Sequence, residues 1–277
     1  MEISFAFPQK YNIMHAYISS AIIFNVKLYM TKIIGIIPAR FGSTRFPGKP
    51  LTVILGKTMI RRVWEQAKKA PSLAEVLIAT DDERIKAEVL SFGGNVVMTQ
   101  SIHPTGTDRC KEALEMAEIL SGISYDAAIN IQGDEPFIDP AQIDLVASCF
   151  EDANTELATL VKRLSQTEDL FNPNIIKVVL SDLQEALYFS RSPIPYFRGQ
   201  EEQDWLSKGE YYKHIGIYGY RSDILRKITQ LPQGRLEITE SLEQLRWLQC
   251  GYKIKVRETF TESRSVDAPE DLRYFEG

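Results

Sequence analysis

Cysteine is scarce in this sequence: its 277 residues include only Cys110, Cys149 and Cys250. The three are odd in number, lie far apart and form no CxxC pair. This pattern argues against both a disulfide framework and a cysteine-rich zinc site. A reducing compartment, the cytoplasm, is therefore the expected location.

Positive charge is not in surplus, because 32 lysines and arginines stand against 37 aspartates and glutamates, for a formal net charge of -5. A general nucleic-acid binder needs excess cations on one face, so no nucleic-acid partner is expected. A local phosphate pocket remains compatible with this balance. The hydrophobic fraction of 44% is ordinary for a globular protein, and the length fits one domain with an elaboration.

The sequence also lacks an apolar run long enough to span a bilayer, so no membrane partner is expected. The most apolar part of the start, Tyr17 to Val26, is interrupted by polar residues and lacks the flanks of a signal peptide. Met30 directly precedes the first predicted strand. We interpret residues 1–30 as an upstream extension, disordered or not native, and residues 31–277 as a single α/β domain.

Apolar runs and helical faces alternate through the first half. Ile33 to Ile37 is a continuous apolar run, typical of a strand buried on both faces, and Thr58 to Ala70 repeats apolar residues at helical spacing. The pattern predicts an α/β fold with a mixed, mostly parallel sheet flanked by helices. Further elements are predicted at Glu75–Thr80, Asp82–Ser91 with Asp81 as its cap, Asn95–Met98, Asp108–Leu120 and Ala127–Ile131.

The second half is less regular. One helix is predicted over Leu236 to Gln249, with a leucine face on the sheet and an opposite face that meets water or a binding site. The predicted leucine face is Ile238, Leu242, Leu245 and Leu248, and the opposite face is Glu240, Glu243, Gln244 and Trp247. Strands are predicted at Leu157–Val161, Ile175–Leu180 and Ile215–Tyr220. Residues 191–213, rich in proline and charge, are predicted to form an excursion near a ligand or a partner subunit.

The segment PARFGSTRFPGKP, Pro38 to Pro50, follows the first strand and mixes cations with small residues. Glycines let the backbone approach a ligand, and amides and hydroxyls donate to phosphate oxygens. A guanidinium group can bind two phosphate oxygens at once, in a bidentate contact. It is neither a P-loop nor a GxGxxG motif, so a solvated loop is the alternative. The residues predicted to bind phosphate are Arg40, Gly42, Ser43, Thr44, Arg45 and Lys49.

Two aspartates are candidates for a metal site. Asp134 follows the strand Ala127 to Ile131 in NIQGDEPFID, and Asp267 lies in SVDAPEDL. Carboxylates are the ligands that magnesium prefers, together with phosphate oxygens and water. The alternatives are a turn residue for Asp134 and a helix N-cap for Asp267, and spacing alone favours the cap. Glu135 and Asp139 are interpreted as structural or as residues that support the metal ligands without binding the ion.

The segment PTGTDR, Pro104 to Arg109, lies between a strand and a helix, where Thr107 could cap the helix and backbone amides could face an anion. Gln132 can both donate and accept, which suits a pyrimidine edge or a ribose. Thr80 and Asp81, at the end of the second strand, are weaker candidates.

Two tyrosine-rich segments and one helical segment carry further polar residues. YFSRSPIPY contains Arg191, KHIGIYGY contains His214 and Tyr218, and LEQLR contains Glu243 and Gln244. A guanidinium with several neutral donors and acceptors suits a sugar acid. Taken alone, a histidine of this kind is more often structural and such tyrosines are more often core.

Together these motifs resemble the activated-sugar cytidylyltransferases, in particular the 3-deoxy-manno-octulosonate (Kdo) enzymes. IPAR, STR, PGKP, QGDEP, VDAPEDL, YFSR, HIGIYGY and LEQLR carry the resemblance, and PTGTDR is similar to the family's SGTER with Asp108 in place of glutamate. The resemblance implies a nucleotide-diphospho-sugar transferase-like fold. It also implies transfer of CMP from CTP to the anomeric hydroxyl of Kdo, with release of pyrophosphate, for lipopolysaccharide synthesis.

The resemblance further implies roles for the candidate residues, with Mg²⁺ as cofactor and a homodimer as the expected assembly. Sialic acid activation and a non-catalytic nucleotide-sensing protein are the alternatives. The implied catalytic residues are Arg40, Arg45, Lys49 and Asp134, and the implied metal ligands are Asp134 and Asp267. The implied nucleotide-binding residues are Arg40, Gly42, Ser43, Thr44, Arg45, Lys49, Thr80, Asp81, Thr107, Gln132 and Gly133. The implied sugar-binding residues are Arg109, Arg191, His214, Tyr218, Glu243 and Gln244.

Overall fold

The structure is a computed structural model that describes residues 31–42 and 46–275. The predictions made for residues 1–30 and for Ser43, Thr44 and Arg45 lie outside the described residues. From Lys32 onward the described chain belongs to one compact unit. Within these residues, no helix is both long and apolar enough to cross a membrane.

A nine-stranded sheet forms the centre of this unit, in the order β11-β7-β10-β6-β1-β4-β5, with β8 paired to β10 and β9 paired to β8. A two-stranded hairpin, β2 and β3, lies apart from it. The strands are β1 Ile33–Ala39, β2 Val53–Ile54, β3 Lys57–Thr58, β4 Leu73–Thr80, β5 Asn95–Met98, β6 Ala127–Asn130, β7 Leu157–Arg163, β8 Lys177–Leu180, β9 Ala186–Ser190, β10 Tyr212–Arg221 and β11 Ile254–Glu258.

The α-helices that the structure describes connect these strands. They are α1 Met59–Ala67, α2 Glu83–Ser91, α3 Gly106–Ser121, α4 Pro140–Ser148, α5 Thr167–Phe171, α6 Trp205–Lys208, α7 Ser222–Ile228, α8 Arg235–Glu240 and α9 Gln244–Gln249. Short 3-10 helices occur at Lys49–Leu51, Cys149–Glu151, Glu202–Asp204 and Pro269–Tyr274.

The sheet is mixed and mostly parallel, as the sequence predicts. β1 runs parallel to β4 and β6, β4 runs parallel to β5, and β11 runs parallel to β7. β10 is antiparallel to β6, β7 and β8, and β9 is antiparallel to β8. Only β10 and β9, among the strands of this sheet, therefore run against the common direction.

Strand β1 explains why both faces of the sheet are covered by helices. Side chains alternate across a strand, so neighbours in sequence enter different layers. Ile34 and Ile36 pack in a cluster with α3 residues such as Leu114, whereas Ile33 and Ile37 pack in a second cluster with α1 and α4. The continuous apolar run of β1 thus supplies two cores.

The predicted helix over Leu236 to Gln249 is wrong as a single element. It is broken into α8 and α9 at Ser241, whose φ of 52° is left-handed. The predicted faces fail with it, because Ile238 is 63% exposed whereas Trp247 is 1% exposed. The break turns α9 so that the indole enters the core, and the buried Glu237–Arg246 ion pair joins α8 to α9.

Two predicted caps are displaced along the sequence. Asp82, not Asp81, accepts from the backbone amide of Arg84 at the start of α2. Thr105, not Thr107, accepts from the amide of Asp108 at the start of α3. Asp81 and Thr107 are thereby left for contacts with other parts of the fold.

The excursion predicted over residues 191–213 contains a 3-10 turn, the short helix α6 and the start of β10. Trp205 is buried there with Tyr211, Leu164 and Leu170 in a small separate cluster. Tyr196, packed edge-on against Trp205, stays 74% exposed. The excursion therefore has its own apolar anchor.

Candidate active site

A cavity of about 260 Å³ opens where β1 and β6 end, the edge of a parallel sheet at which ligands bind. Residues from the loop after β1, the segment before α3, the loop after β6 and the C-terminal segment line it. They are Pro38, Ala39, Arg40, Lys49, Pro50, His103, Pro104, Thr105, Gly106, Arg109, Gln132, Gly133, Asp134 and Asp267.

Lys49 lies at the centre of the polar wall. Its Nζ donates to Asp134 Oδ2 at 2.8 Å and to the carbonyl of Val266 at 2.9 Å, groups 85 and 217 positions away in the chain. The amide of Val266 in turn donates to the carbonyl of Asp134 at 2.9 Å. One ammonium therefore ties the loop after β1 to two distant segments.

Two glycines allow this approach. Gly48, immediately before Lys49, has a left-handed φ of 72°, and a Cβ there would lie 3.2 Å from the ring of Phe41. At Gly133 a Cβ would lie 2.7 Å from the carbonyl oxygen of Pro38. A side chain at Gly133 would force apart the two loops that line the cavity.

Asp134 and Asp267, predicted as metal ligands, line the same cavity. Asp267 is not the N-cap of the following 3-10 helix, which is Ala268. The amides of Asp267 and Ala268 donate to Asp271 Oδ2 at 2.8 and 2.9 Å, so a neighbouring carboxylate fixes the Asp267 backbone. Within the described residues no three His, Cys, Asp or Glu side chains gather as a complete metal site.

Gln132 connects this wall to β10. Its Nε2 donates to the carbonyl of Gly216 at 2.9 Å, where the pairing of β10 with β7 is irregular. The amide oxygen of Gln132 is left for a ligand. Arg40 is exposed and lines the cavity, whereas Gly42 is exposed in the same loop but does not line it.

Arg109 also lines the cavity, but its charge is already matched. Its guanidinium is buried, donates to Asp81 Oδ2 at 2.8 Å and donates to Thr99 Oγ1. Thr80 is fully buried, and its carbonyl accepts from the amide of Thr99. Thr80 and Asp81 do not line the cavity. Thr80 and Asp81 are hydrogen-bonded to Thr99 and Arg109, respectively.

Glu243 and Thr107 meet beside the start of α3. Thr107 Oγ1 donates to Glu243 Oε2 at 2.8 Å, although the two residues are 136 positions apart. Burial raises the pKa of the Glu243 carboxyl, partly offset by the hydrogen bond from Thr107. Gln244, next in the chain, is buried. Glu243 and Gln244, which were predicted to bind the sugar, therefore do not line the cavity, although Glu243 contacts Thr107 next to the lining residue Gly106.

His214 and Tyr218 lie on β10 in the same region, with ring centroids 5.2 Å apart. His214 Nε2 lies 3.0 Å from Thr159 Oγ1, and burial lowers the pKa of His214 to about 3. The hydroxyl of Tyr218 is buried without a hydrogen-bond partner among the described residues. A buried hydroxyl of this kind favours a ligand that completes its bonding.

Arg191 is used differently from the prediction. Its guanidinium donates to the backbone carbonyls of Glu240, Pro173 and Ser241, and its amide donates to Glu240 Oε2. It thus braces the break between α8 and α9. It lies outside the cavity lining.

Sequence reasoning missed His103, which lines the cavity. It also missed two buried polar atoms without partners among the described residues, Asn130 Oδ1 and Trp247 Nε1, although neither residue lines the cavity. His103 stands one residue before PTGTDR, which is a signal that could have found it. Trp247 carries no such signal, since its burial depends on the break at Ser241.

Comparison with known proteins agrees with this geometry. The cytidylyltransferase family model matches residues 34–254. The chain is 56% identical over 247 residues to a 3-deoxy-manno-octulosonate cytidylyltransferase of Parabacteroides distasonis, covering 88% of this chain and 96% of that protein. It is 53% identical over 248 residues to the protein of the same name from Bacteroides thetaiotaomicron, covering 88% and 97%.

A solved structure is similar as well. CMP:2-keto-3-deoxy-manno-octonic acid synthetase complexed with CTP superposes with a TM-score of 0.79 at 42% identity, covering 88% of this chain and 96% of that one. The family match at residues 34–254 includes most of the residues that line the cavity, and Asp267 lies beyond it. The chain belongs to the cytidylyltransferase family and, within it, to the 3-deoxy-manno-octulosonate cytidylyltransferases.

Proposed function

We propose that this chain transfers CMP from CTP to the anomeric hydroxyl of Kdo, giving CMP-Kdo and pyrophosphate for lipopolysaccharide synthesis. The observation that carries the proposal is the convergence of Lys49, Asp134 and Asp267 on one cavity at the carboxyl edge of the sheet. The names of the similar proteins support the same substrates.

The cations of this cavity suit a triphosphate. Lys49 is 15% exposed in its ion pair with Asp134, so its ammonium is held at the cavity before a ligand arrives. Arg40 lines the same cavity from the end of β1. We assign both to the triphosphate, together with Ser43, Thr44 and Arg45 of the same loop.

The donor set fits Mg²⁺, which usually takes one or two protein carboxylates and completes its coordination with phosphate oxygens and water. Asp134 and Asp267 would hold the ion. When bound, it would neutralise phosphate charge and acidify the attacking hydroxyl. Lys49 now occupies one Asp134 oxygen, so we expect Lys49 to shift toward the phosphates when the ion binds.

The chain's own groups account for the rest of the reaction. The anomeric hydroxyl loses its proton to water, and its oxygen forms a bond to the α-phosphorus as the bond from that phosphorus to the oxygen bridging it to the β-phosphate breaks. Pyrophosphate leaves with its charge stabilised by Arg40 and Lys49. Positioning then contributes most of the remaining rate. No covalent enzyme intermediate is required.

The sugar is assigned to the region beside α3 and β10. Tyr218 offers an unpaired hydroxyl, Glu243 and Thr107 offer a polar edge, and His214 is held neutral by burial at physiological pH. These groups suit the hydroxyls of a sugar better than its carboxylate. Arg109 and Arg191 are both engaged with the protein, so either would bind the carboxylate only through its remaining N–H groups.

A pyrophosphate-release assay tests the proposal, with CTP or UTP as donor and with Kdo or sialic acid as acceptor. The expected result is turnover with CTP and Kdo and at least about tenfold less with the other combinations, because a misplaced acceptor loses orientation. Turnover with sialic acid in preference to Kdo would assign the runner-up activity. No pyrophosphate from any combination would favour a non-catalytic nucleotide-binding protein.

We further propose that the chain forms a homodimer in the cytoplasm. The exposed Tyr196 beside the buried Trp205 gives the excursion at 191–213 an apolar surface, which supports a homodimer. Light scattering of the purified protein measures the mass directly, and a monomer at micromolar concentration would contradict the proposal. The location rests on the sparse cysteines of the sequence.

A further inference from the structure

His103 lines the cavity and is held by a residue outside it. Its Nε2 is hydrogen-bonded to Glu112 Oε2, on the second turn of α3. The same carboxylate oxygen accepts from the amide of Gln100 at 2.9 Å. The side chains of His103 and Glu112 are only 16% and 22% exposed. The imidazole is therefore fixed by a second side chain before any ligand binds.

The pairing decides which atom of the ring remains for a ligand. Burial alone would raise the pKa of Glu112, but hydrogen bonds from His103 and Gln100 outweigh it and the pKa lies below its ordinary value. An ionised carboxylate only accepts, so Nε2 carries the proton. In the neutral ring Nδ1 is then an acceptor, and in the part of the chain that the structure describes nothing hydrogen-bonds to it.

The position of His103 in the cavity indicates which part of a nucleotide it meets. The groups proposed to bind the triphosphate and its metal ion come from the loop after β1, at Lys49, and from the C-terminal segment, at Asp267. The wall at His103–Gly106 runs from the segment after β5 to the first residue of α3 and carries no lysine or arginine. Arg109, which lines the cavity one turn further along α3, has its charge matched by Asp81. An uncharged nucleoside suits this wall better than phosphate does.

We propose that His103 binds the nucleoside half of CTP, with Glu112 as its positioning residue, and that Nδ1 accepts a hydrogen bond from the cytosine amino group or a ribose hydroxyl. The inference rests on the proposed function and deepens it by naming a nucleoside contact. The alternative is a purely structural pair, in which His103 only fastens the segment 99–105 to α3.

Two conservative variants separate these roles. In His103→Asn the amide oxygen lies near the position of Nδ1, whereas in His103→Gln the longer amide reaches toward Nε2 and Glu112. A ligand contact is rescued by asparagine and not by glutamine. A structural clamp is rescued by glutamine and not by asparagine, so that result would overturn the proposal.

The measurement is CTP affinity by titration calorimetry, together with kcat and both KM values for the full chain. For His103→Ala we expect the CTP dissociation constant and KM to rise about tenfold, since one ligand hydrogen bond is lost, with kcat and the KM for Kdo changed less than about twofold. Glu112→Ala should show a smaller rise in the same constants, which Glu112→Gln restores. Glu115→Gln, on the same helix, is the matched control.

Ligand variants identify the donor. If the cytosine amino group is bound, His103→Ala lowers the preference for CTP over UTP; if a ribose hydroxyl is bound, it lowers the preference for CTP over 2′- or 3′-deoxy-CTP instead. Unchanged preference in both comparisons would overturn the proposal. CTP binding is measured without an acceptor, so a wild-type protein that binds CTP but makes no CMP-Kdo would count against the proposed function alone.

Discussion

Lys49 shows how a single side chain can hold a site and also act in it. Its Nζ bonds to Asp134 and to the carbonyl of Val266, so the charge that would meet phosphate also joins three loops. A cation already held at the cavity would need only to shift from Asp134 toward the phosphates to stabilise their charge.

Lys49→Ala is expected to lower kcat by about a hundredfold or more, by analogy with the loss of one preorganised donor to a developing negative charge. Asp134→Asn should lower it comparably. Thermal unfolding should move much less, since neither residue lies in the two main cores. Lys57→Ala, which breaks an exposed ion pair, is the control for both. Near-normal turnover in either variant would refute the site.

His214 makes the stability of the fold depend on pH in the acidic range. Burial lowers its pKa to about 3 in the folded state, whereas an unfolded histidine titrates near 6.5. The folded state therefore binds the proton less well. Stability is fully present above pH 6.5 and is lost as the pH falls from 6.5 toward 3.

The free energy of unfolding should fall by about 2 kcal/mol between pH 7 and pH 5 because of His214. In the His214→Gln variant this contribution to the fall should be absent. Urea unfolding at the two pH values measures the difference. Equal losses in the wild type and the variant would show that the histidine titrates normally. At pH 7 both proteins carry a neutral side chain, so that value provides the baseline.

At the scale of secondary structure, the break between α8 and α9 has the largest effect on the site. Ser241 adopts a left-handed φ. The guanidinium of Arg191 donates to the backbone carbonyl of Glu240, and the hydroxyl of Ser190 donates to the Glu240 carboxylate, so both contacts hold the turn. The reversal places Glu243 against Thr107 and buries Trp247. Helical periodicity in the sequence runs straight through this point, so it predicted one helix with the wrong faces.

Ser241→Gly should keep activity and stability near the wild type, because glycine adopts this conformation without strain. Ser241→Val should destabilise the protein by about 1–2 kcal/mol and raise the KM for Kdo, because a β-branched residue is strained at positive φ and would displace Glu243. Thermal unfolding and steady-state kinetics measure both effects. An unchanged KM for Kdo in the valine variant would show that the break at Ser241 does not position the sugar-binding residues.

For the whole molecule, the C-terminal segment completes a cavity whose other walls come from the first half of the chain. Val266 packs in a small cluster with the hairpin residue Ile54 and with Met59, and Phe275 stacks on Phe137 at 4.9 Å. Neither main core includes residues of this segment. Loss of the segment is therefore expected to leave the sheet folded.

Removing residues 265–277 should abolish turnover while the sheet and its two cores stay folded, because the deletion takes away Asp267 and the carbonyl that orients Lys49. Circular dichroism and pyrophosphate release measure the two properties. Asp267→Asn in the full chain is the companion variant and should also lose turnover. Retained activity in that variant would rule out Asp267 as an essential carboxylate.

The sequence by itself determined the alternating layers and the loops that carry the motifs. The continuous apolar run of β1 and the helical spacing along α1 are local properties that can be recognised from a few neighbouring residues. Even the short strand Asn95–Met98 was predicted with its observed bounds. The motifs likewise placed Lys49 and Asp134 in loops at strand ends, where the cavity lies.

Only the tertiary structure decided which of these residues line the cavity. Asp81 neutralises Arg109 and Thr107 bonds Glu243, contacts between residues 28 and 136 positions apart that no local pattern encodes. The Glu112 contact that orients His103 depends likewise on how the segment after β5 folds back on α3. Local periodicity indicates most of the elements, although it missed the break at Ser241. Long-range hydrogen bonds and burial then decide the direction and charge of each side chain in the site.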